Sequence, residues 1–284
     1  MACWRTKVQL TCSFSLLWLI IGATAQLPLP WLRLNILQAQ PALENNSLQP
    51  FFDRLSNPVN VAFPRGQKLD ITPPPPQLNL FDQAVLRTCG SIGTKVRAES
   101  FKKLLSQYPD VLQKAQQISG GELRPNRRSK SQFLKDLTAI WFKEQGFEHI
   151  FCGEIYTAND IGGLHFYGRY LQLQNDSIGG RLPNNSPQEE VVPGVIYTMG
   201  VVLKQGERLV TDTIKGYAYV SNAQEILLDA TKAFKTQGNT EGACLYRVRD
   251  KETGNSFQAV FVRENNAIIT FYPDATPKGK ACKI

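Results

Sequence analysis

The amino-acid sequence predicts an α+β fold, with a helical N-terminal part followed by mostly antiparallel β-sheets. Apolar residues recur at helical spacing before residue 146. Runs of β-branched and aromatic residues, separated by turn residues, follow it. With 284 residues, 42% of them hydrophobic and 20% charged, the chain is long enough for one large or two modest domains with a core. This composition excludes a collagen-like chain and a wholly disordered one.

The first 25 residues have the composition of an export signal. Arg5 and Lys7 precede an apolar run over residues 10–21, and Ala23-Thr24-Ala25 supplies a small-x-small cleavage pattern. A spanning helix needs ~20 apolar residues, so a run this short favours removal over retention as a membrane anchor. We therefore expect cleavage near Ala25, no stable membrane anchor, and a secreted or periplasmic protein.

Removal of residues 1–25 takes away two of the 32 basic residues and none of the 24 acidic ones, which leaves a net charge of +6. A moderately basic surface suits a polyanionic partner, but many secreted proteins are basic for other reasons. An even number of cysteines in an oxidising compartment permits two disulfides, with three pairings open and free buried thiols as the alternative. The four remaining cysteines are Cys89, Cys152, Cys244 and Cys282.

Residues 26–78 have the composition of a Pro-rich arm or linker. Their prolines, including the run 73–76, favour polyproline II and forbid a continuous helix. Leu27, Trp31 and Leu32 are too apolar for a purely solvated tether. We therefore expect part of this arm to pack on the domain.

Residues 79–146 are predicted to be a helical subdomain. Apolar residues at helical spacing cover 101–118, with an interruption expected at Pro109. A second helix is predicted over 131–145, with one apolar face and with Gly146 as its C-terminal cap. Such stripes are typical of a buried core rather than of a binding surface.

Residues 147–284 are predicted to consist mainly of strands. Turn signals such as Gln205-Gly206 and Asn265-Asn266 separate the predicted strands. One helix interrupts them, from residue 223 to about 234, with Ser221 and Gln224 in capping-box spacing. The predicted strands cover residues 195–203, 208–220, 243–248, 257–263 and 267–272.

The chain contains only two histidines, His149 and His165, which lie in one glycine-rich segment. The ordinary pKa of histidine, ~6.5, lets a pair hold one neutral and one protonated member near neutral pH. Cleavage of RNA through its own 2′-hydroxyl needs that combination. A base removes the hydroxyl proton, and an acid protonates the departing 5′-oxygen. A nearby cation stabilises the charge that develops on the phosphorane.

Other kinds of site are less consistent with this segment than acid/base chemistry. Two histidines taken alone are often ordinary polar residues of a fold. A zinc site from His149, Cys152 and His165 lacks an obvious fourth ligand and matches no common zinc spacing. Two-metal hydrolysis needs a tight carboxylate cluster. The local acids do not form one: Glu148, Glu154 and Asp160. The sequence therefore predicts no dedicated metal site.

Three segments resemble motifs of one family. Residues 147–154 (FEHIFCGE) and 162–165 (GGLH) are similar to the two histidine motifs of the EndoU-type endoribonucleases, which include the coronaviral uridylate-specific enzymes. Residues 268–273 (IITFYP) resemble the family's Thr-x-Tyr-Pro ending on its last strand. The resemblance covers about residues 79–284 and is strongest from 147 onward. It implies an EndoU-like catalytic domain over residues 147–284.

The resemblance also implies roles for individual residues. His165 would be the general base and His149 the general acid. Tyr272 would stack on the uridine, and Thr270 would read the edge of the pyrimidine. Stacking of an aromatic side chain contributes roughly 1–3 kcal/mol per base in single-stranded recognition.

The third catalytic member in the family is a lysine on a strand that follows the histidines. Lys215 fits this position, and Lys204, in an apparent hairpin turn, is the competitor. Ser221 is the candidate for a uracil-reading hydroxyl, with a role as helix cap left open. Gly162 and Gly163 would let backbone amides approach the phosphate closely.

The predicted function is cleavage of single-stranded RNA, 3′ of uridine, to 2′,3′-cyclic phosphate and 5′-hydroxyl ends. This chemistry requires no cofactor, and the resemblance implies stimulation by manganese, as in parts of the family. A secreted RNA- or polyanion-binding module on the same fold is the alternative. A paired acid and base argue against it, because binding alone does not need them. The sequence leaves open the RNA target, a protein inhibitor, and the contacts of the aromatic segment 166–170.

Overall fold

The computed structural model describes residues 48–250 and 253–283. The expected export signal, its cleavage site and residues 26–47 of the Pro-rich arm lie outside these ranges. Among the described residues, no helix is both long and apolar enough to cross a membrane.

The helical part begins with α1 (Leu80–Cys89), α2 (Ala98–Gln107), α3 (Pro109–Ile118) and α4 (Lys130–Phe142). The predicted break at Pro109 is confirmed, because proline occupies the first turn of α3, where its missing N–H is tolerated. Helix α4 ends three residues earlier than predicted. Gly146 is not its cap, since Lys143 occupies that position. Gly146 instead lies against β11, where an added Cβ would meet the Ile268 carbonyl oxygen at 2.3 Å.

The strands form antiparallel ladders throughout the described residues. The short ones are β1 (Val59–Asn60), β2 (Lys68–Leu69), β3 (Glu154–Thr157), β4 (Asp160–Gly162), β5 (Gly179–Arg181) and β6 (Glu190–Val192). The long ones are β7 (Ile196–Gln205), β8 (Arg208–Ala218), β9 (Gly242–Arg249), β10 (Ser256–Glu264) and β11 (Ala267–Asp274). Strand β7 pairs with β5, β6 and β8, and β10 lies between β9 and β11. All five predicted strands are present within two residues of their predicted ends.

The sequence missed three helical segments after Gly146, of which the shortest is a 3₁₀ turn over Ser186–Gln188. A π-helical turn spans Glu148–Cys152, and α5 spans Tyr167–Asn175. The predicted helix after β8 is α6 (Ala223–Gln237). Its cap is Asn222 rather than Ser221, because the Asn222 side chain accepts the Glu225 amide at 3.0 Å and Glu225 Oε2 accepts the Asn222 amide at 2.9 Å.

The described parts of the three divisions predicted after residue 25 share one core, and the described residues belong to one compact unit. Phe51 and Phe52 of the arm are fully buried, against the rings of Tyr170 and Tyr217 respectively. Their amides donate to the side chain of Gln174 at 2.7 and 2.9 Å. The described part of the arm is therefore built into the domain.

Two disulfides join Cys89 to Cys152 and Cys244 to Cys282. The first ties the end of α1 to the end of the π-helical turn. The second ties β9 to the segment after β11. One of the three possible pairings is thus selected, and the alternative of free thiols is excluded.

Candidate active site

The two histidines are brought together by backbone hydrogen bonds between their segments. His149 lies in the π-helical turn, and His165 precedes α5. The Leu164 amide donates to the His149 carbonyl at 2.9 Å, and the His165 amide donates to the Ile150 carbonyl at 2.8 Å. The imidazole ring centres are 5.7 Å apart. A phosphate group can therefore contact both rings.

Gly163 makes this close approach sterically possible. Its φ is +61°, and an added Cβ would meet the His149 carbonyl oxygen at 1.7 Å. At Gly162 an added Cβ would meet the ring of Tyr156 at 2.6 Å. The backbone neighbour of Gly163 thus requires glycine at that position, whereas the neighbour of Gly162 is the end of a side chain. The amide contacts with a phosphate expected for this pair stay a prediction.

His149 is oriented by a carboxylate. Its Nδ1 lies 2.9 Å from Glu154 Oε2, and Tyr156 also donates its hydroxyl to this oxygen. Burial raises the pKa of Glu154, but hydrogen bonds from the His149 and Tyr156 side chains outweigh burial and hold that pKa below its usual value. An ionised carboxylate only accepts hydrogen bonds, so Nδ1 of His149 carries a proton and Nε2 is the ring nitrogen left for substrate.

His165 is oriented by a backbone carbonyl. Its Nδ1 lies 3.2 Å from the Gly216 oxygen, which only accepts, so Nδ1 carries the proton of the neutral ring. Burial lowers the pKa of His165 well below its usual value, and the charges of His149 and Lys215 lower it further. The ring is therefore neutral at pH 7, with the lone pair on Nε2.

Lys215 is the lysine that the structure brings to the histidines. Its Nζ lies 2.9 Å from Asp212 Oδ2, and its charge acts on the His165 ring. Asp212 Oδ2 also accepts the Ile161 amide of β4 at 3.2 Å, which links β8 to the histidine segment. The competitor Lys204 lies at the other end of the β7–β8 ladder, paired with Leu209.

Tyr272 of β11 completes one wall of the site. Its ring stacks on the His165 ring with centres 5.1 Å apart and 28° between the planes. Thr270 is two residues earlier on β11, so it shares the face of Tyr272. The Thr270 hydroxyl oxygen is buried and has no hydrogen-bond partner among the described residues.

Ser221 lies in the turn between β8 and α6, with only 5% of its surface exposed. Since Asn222 caps α6, the alternative role of Ser221 as helix cap is wrong. Within residues 48–250 and 253–283, no hydrogen bond connects the Ser221 side chain to either histidine or to Tyr272. Its role as a base-reading hydroxyl stays a prediction.

The zinc interpretation fails on the chemistry of its ligands. Cys152 is bonded to Cys89 and is therefore not a thiolate. In the described part of the chain, no group of three or more histidine, cysteine, aspartate or glutamate side chains could hold a metal ion.

The segment 166–170 is structural rather than a surface for RNA. Arg169 is 1% exposed and donates to the Gly90 and Cys152 carbonyls, each at 2.9 Å. Burial lowers the pKa of Arg169 to about 10, so its side chain remains charged. Arg169 thus supports the ends of the two segments that the disulfide Cys89–Cys152 joins.

Sequence reasoning missed the residues that hold the catalytic candidates. Glu154 was considered only as a metal ligand, and Asp212, Tyr156 and the Gly216 carbonyl were not considered. The one signal available was the proximity of Glu154 to His149, five residues along the chain. Asp212 and Gly216 reach the histidines only through the fold.

Residues 143–275 match the family model described as bacterial EndoU nuclease. Comparison with curated protein sequences gives no match. Among solved structures, XendoU, a splicing-independent snoRNA-processing endoribonuclease, aligns over 82% of this chain and 90% of its own, with a TM-score of 0.51 and 15% identity. This similarity confirms the α+β fold.

Endoribonuclease Nsp15 encoded by Middle East Respiratory Syndrome Coronavirus aligns over 49% of this chain and 37% of its own, with 14% identity and a TM-score of 0.34. That overlap is too small to support an argument about fold. The family model carries the assignment, because its 143–275 range includes both histidines, Lys215 and Tyr272. The resemblance seen in the three sequence motifs is confirmed, because the residues that carry these motifs lie within the part of the chain that matches the EndoU nuclease family model.

Proposed function

We propose that this endoribonuclease cleaves single-stranded RNA 3′ of uridine, with His165 as general base, His149 as general acid and Lys215 as the cation at the phosphorane. The observation that carries the proposal is the different anchoring of the two rings. The Nδ1–H group of His165 donates a hydrogen bond to the Gly216 carbonyl oxygen, which is neutral. The Nδ1–H group of His149 donates to the Glu154 carboxylate, which is charged. Both rings therefore have Nε2 left for substrate, and the pKa of the His165 ring is lowered by burial, which suits a general base.

The reaction follows from this arrangement. Nε2 of neutral His165 takes the proton of the 2′-hydroxyl, and the 2′-oxygen attacks phosphorus. The bond from phosphorus to the 5′-oxygen breaks, and that oxygen takes a proton from Nε2 of protonated His149. The products are a 2′,3′-cyclic phosphate and a 5′-hydroxyl. The Lys215 ammonium stabilises the negative charge on the non-bridging oxygens.

Uridine would be held by the wall that Tyr272 forms. Stacking on its ring extends the existing stack on His165. The unpartnered hydroxyl of Thr270 supports a role in reading the base, because a buried hydroxyl without a partner is destabilising until a ligand group binds it. Ser221 is the second candidate for this reading.

We further propose that the enzyme works outside the cytosol and needs no cofactor. The N-terminal pattern of residues 1–25 supports export, and two disulfides are typical of oxidising compartments. Nothing in the chemistry above requires a metal, and manganese would act only as a stimulant.

The proposal is tested with a short RNA that contains one uridine and a matched oligonucleotide with 2′-deoxyuridine at that position. We expect cleavage of the ribo substrate alone, with a cyclic phosphate product, in the presence of chelator. Cytidine and adenosine at the same position test the base preference. Cutting of both oligonucleotides would contradict the mechanism. Salt-sensitive binding of intact RNA would favour the binding module.

The two histidine roles are separated by a substrate with a leaving group that needs no proton. With uridine 3′-(4-nitrophenyl phosphate), His149→Ala should approach the wild-type rate, and His165→Ala should remain inactive. On RNA both variants should lose activity. Rescue of His165→Ala instead of His149→Ala would reverse the assignment of base and acid.

A further inference from the structure

Tyr156 is the only aromatic side chain that is exposed among the residues that the structure describes. It lies on β3, two residues after Glu154, and 58% of its surface is accessible. Single exposed apolar residues are common on protein surfaces and do not by themselves indicate a site. Tyr156 differs because both its ring and its hydroxyl are held in place.

The hydroxyl of Tyr156 donates to Glu154 Oε2, the same oxygen that accepts from His149 Nδ1. Its ring lies on the backbone of Gly162, where any Cβ would overlap it. Burial and the charge of Glu154 raise the pKa of Tyr156, so the phenol stays protonated and keeps donating. An exposed ring is thus fixed in orientation directly beside the proposed general acid.

The proposed reaction identifies the nucleotide that would lie beside the Tyr156 ring. His165 acts at the 2′-oxygen of the uridine, and Tyr272 stacks on His165. His149 acts at the 5′-oxygen, which belongs to the following nucleotide. Tyr156 shares its hydrogen-bond acceptor with His149, so it lies on the leaving-group side of the scissile bond.

We infer that Tyr156 is a second stacking platform, which binds the base of the nucleotide immediately 3′ of the scissile phosphate. This inference rests on the proposed function for the direction of the RNA across the histidine pair. Two fixed aromatic rings then flank the phosphate, one for each neighbouring base. Stacking tolerates any base, because every base has a π-face, so the platform adds affinity without sequence preference.

The test uses oligonucleotides with 2′-deoxyuridine, which cannot be cleaved, and with either a base or an abasic residue at the following position. For the wild-type protein we expect the abasic residue to raise the Kd about tenfold in fluorescence anisotropy. Tyr156→Ala should raise the Kd by a similar factor with the base present. In Tyr156→Ala, replacing the base with the abasic residue should have no further effect on the Kd.

Three further variants make the test specific. Tyr156→Phe keeps the ring and should bind nearly as well as wild type, and Tyr156→Leu should behave as Tyr156→Ala. Leu55→Ala removes another exposed apolar side chain, 70% accessible, and should leave the Kd unchanged. Equal abasic effects in wild type and in folded Tyr156→Ala or Tyr156→Leu would overturn the inference.

Failure of this inference is distinguishable from failure of the proposed function. Wild-type cleavage of the matching ribo substrate, followed separately, reports on the function. Normal cleavage, together with an abasic effect on the Kd that does not depend on Tyr156, would contradict the stacking platform and leave the proposed function in place. A base-dependent Kd that requires Tyr156, found in a protein that cleaves no RNA, would contradict the proposed mechanism and support the binding site.

Discussion

The Lys215 ammonium and the Asp212 carboxylate are 2.9 Å apart, although residues three apart on a regular strand point to opposite faces. A β-bulge resolves this conflict. Met199 of β7 pairs with Lys215 and Val201 pairs with Asp212, so β8 contains one residue more than β7 in this interval. The extra residue turns both side chains to one face. The lysine beside His165 is therefore positioned by an irregularity of the sheet.

Asp212→Asn should lower kcat on RNA by roughly tenfold or more, because the ammonium loses the charged partner that fixes it. The asparagine side-chain oxygen can accept the Ile161 amide but not also the Ile214 amide, which donates to the other carboxylate oxygen, so the free energy of unfolding should fall by about 1–2 kcal/mol. Kinetics under saturating substrate measure this effect. An unchanged or higher kcat would mean that Asp212 does not position Lys215.

The rate should depend on pH through His165. The pKa of this ring is lowered by burial, then by His149 and Lys215, and the base must be neutral. The neutral base is fully present above this pKa and is lost as the pH drops through it, so the acidic limb of kcat/KM should lie below pH ~6.5.

The acidic limb of kcat/KM should move to higher pH in Lys215→Met. Removal of the positive charge next to His165 should raise the pKa of that ring. Lys204→Met is the matched control and should leave the limb in place, since Lys204 lies at the far end of the ladder. Profiles of kcat/KM from about pH 4 to pH 8 measure both shifts. A wild-type limb at or above pH ~6.5 would contradict the assignment of His165 as base.

The two disulfides should differ in their effect on activity. Removing either pair by alanine substitution should lower the free energy of unfolding by about 2–5 kcal/mol. Loss of Cys89–Cys152 should also reduce kcat at temperatures where the protein is folded, because this bond ends the turn that carries His149. Loss of Cys244–Cys282 should leave kcat near wild type. Urea unfolding and steady-state kinetics report these two effects, and equal losses of kcat would count against the idea.

Gly163→Ala should be far more damaging than alanine at another glycine of similar backbone conformation. Gly194 has a φ of +73° and nothing within 4 Å of an added Cβ, so only the left-handed backbone is penalised there, by about 1 kcal/mol. At Gly163 the added carbon overlaps the His149 carbonyl. We expect a loss of more than about 4 kcal/mol, or loss of activity through displacement of His149. Similar stabilities and activities of the two variants would show that the segments can separate without harm.

Local patterns predicted the elements whose periodicity is strong. Strands β7 to β11 and the break at Pro109 follow from β-branched runs and from the missing proline amide. Helix α5 was missed because Gly168 weakens its propensity, and packing decides instead. An added Cβ at Gly168 would meet the Phe166 ring at 2.4 Å.

The histidine pair could be predicted from the sequence, whereas its supports could not. His149, His165 and Lys215 were identified by residue type and by resemblance. The partners Asp212 and Gly216 lie about 50 residues from His165, and no local pattern joins them to it. The disulfide pairing is likewise a property of the fold. The cap of α6 was misplaced by one residue, because Ser221 and Asn222 are both good capping residues.

The burial of Phe51 and Phe52 sets the minimum length of a fragment of this nuclease that could fold within a fusion protein. A fragment trimmed to the family-matched residues 143–275 would open the core around Tyr170 and Tyr217 to water and would leave Cys152 without its partner. Fusions intended to carry the activity should therefore include the chain from Gln49 onward, which already pairs with Arg181. The smallest fragment expected to fold and keep the activity is thus much longer than the family-matched segment 143–275.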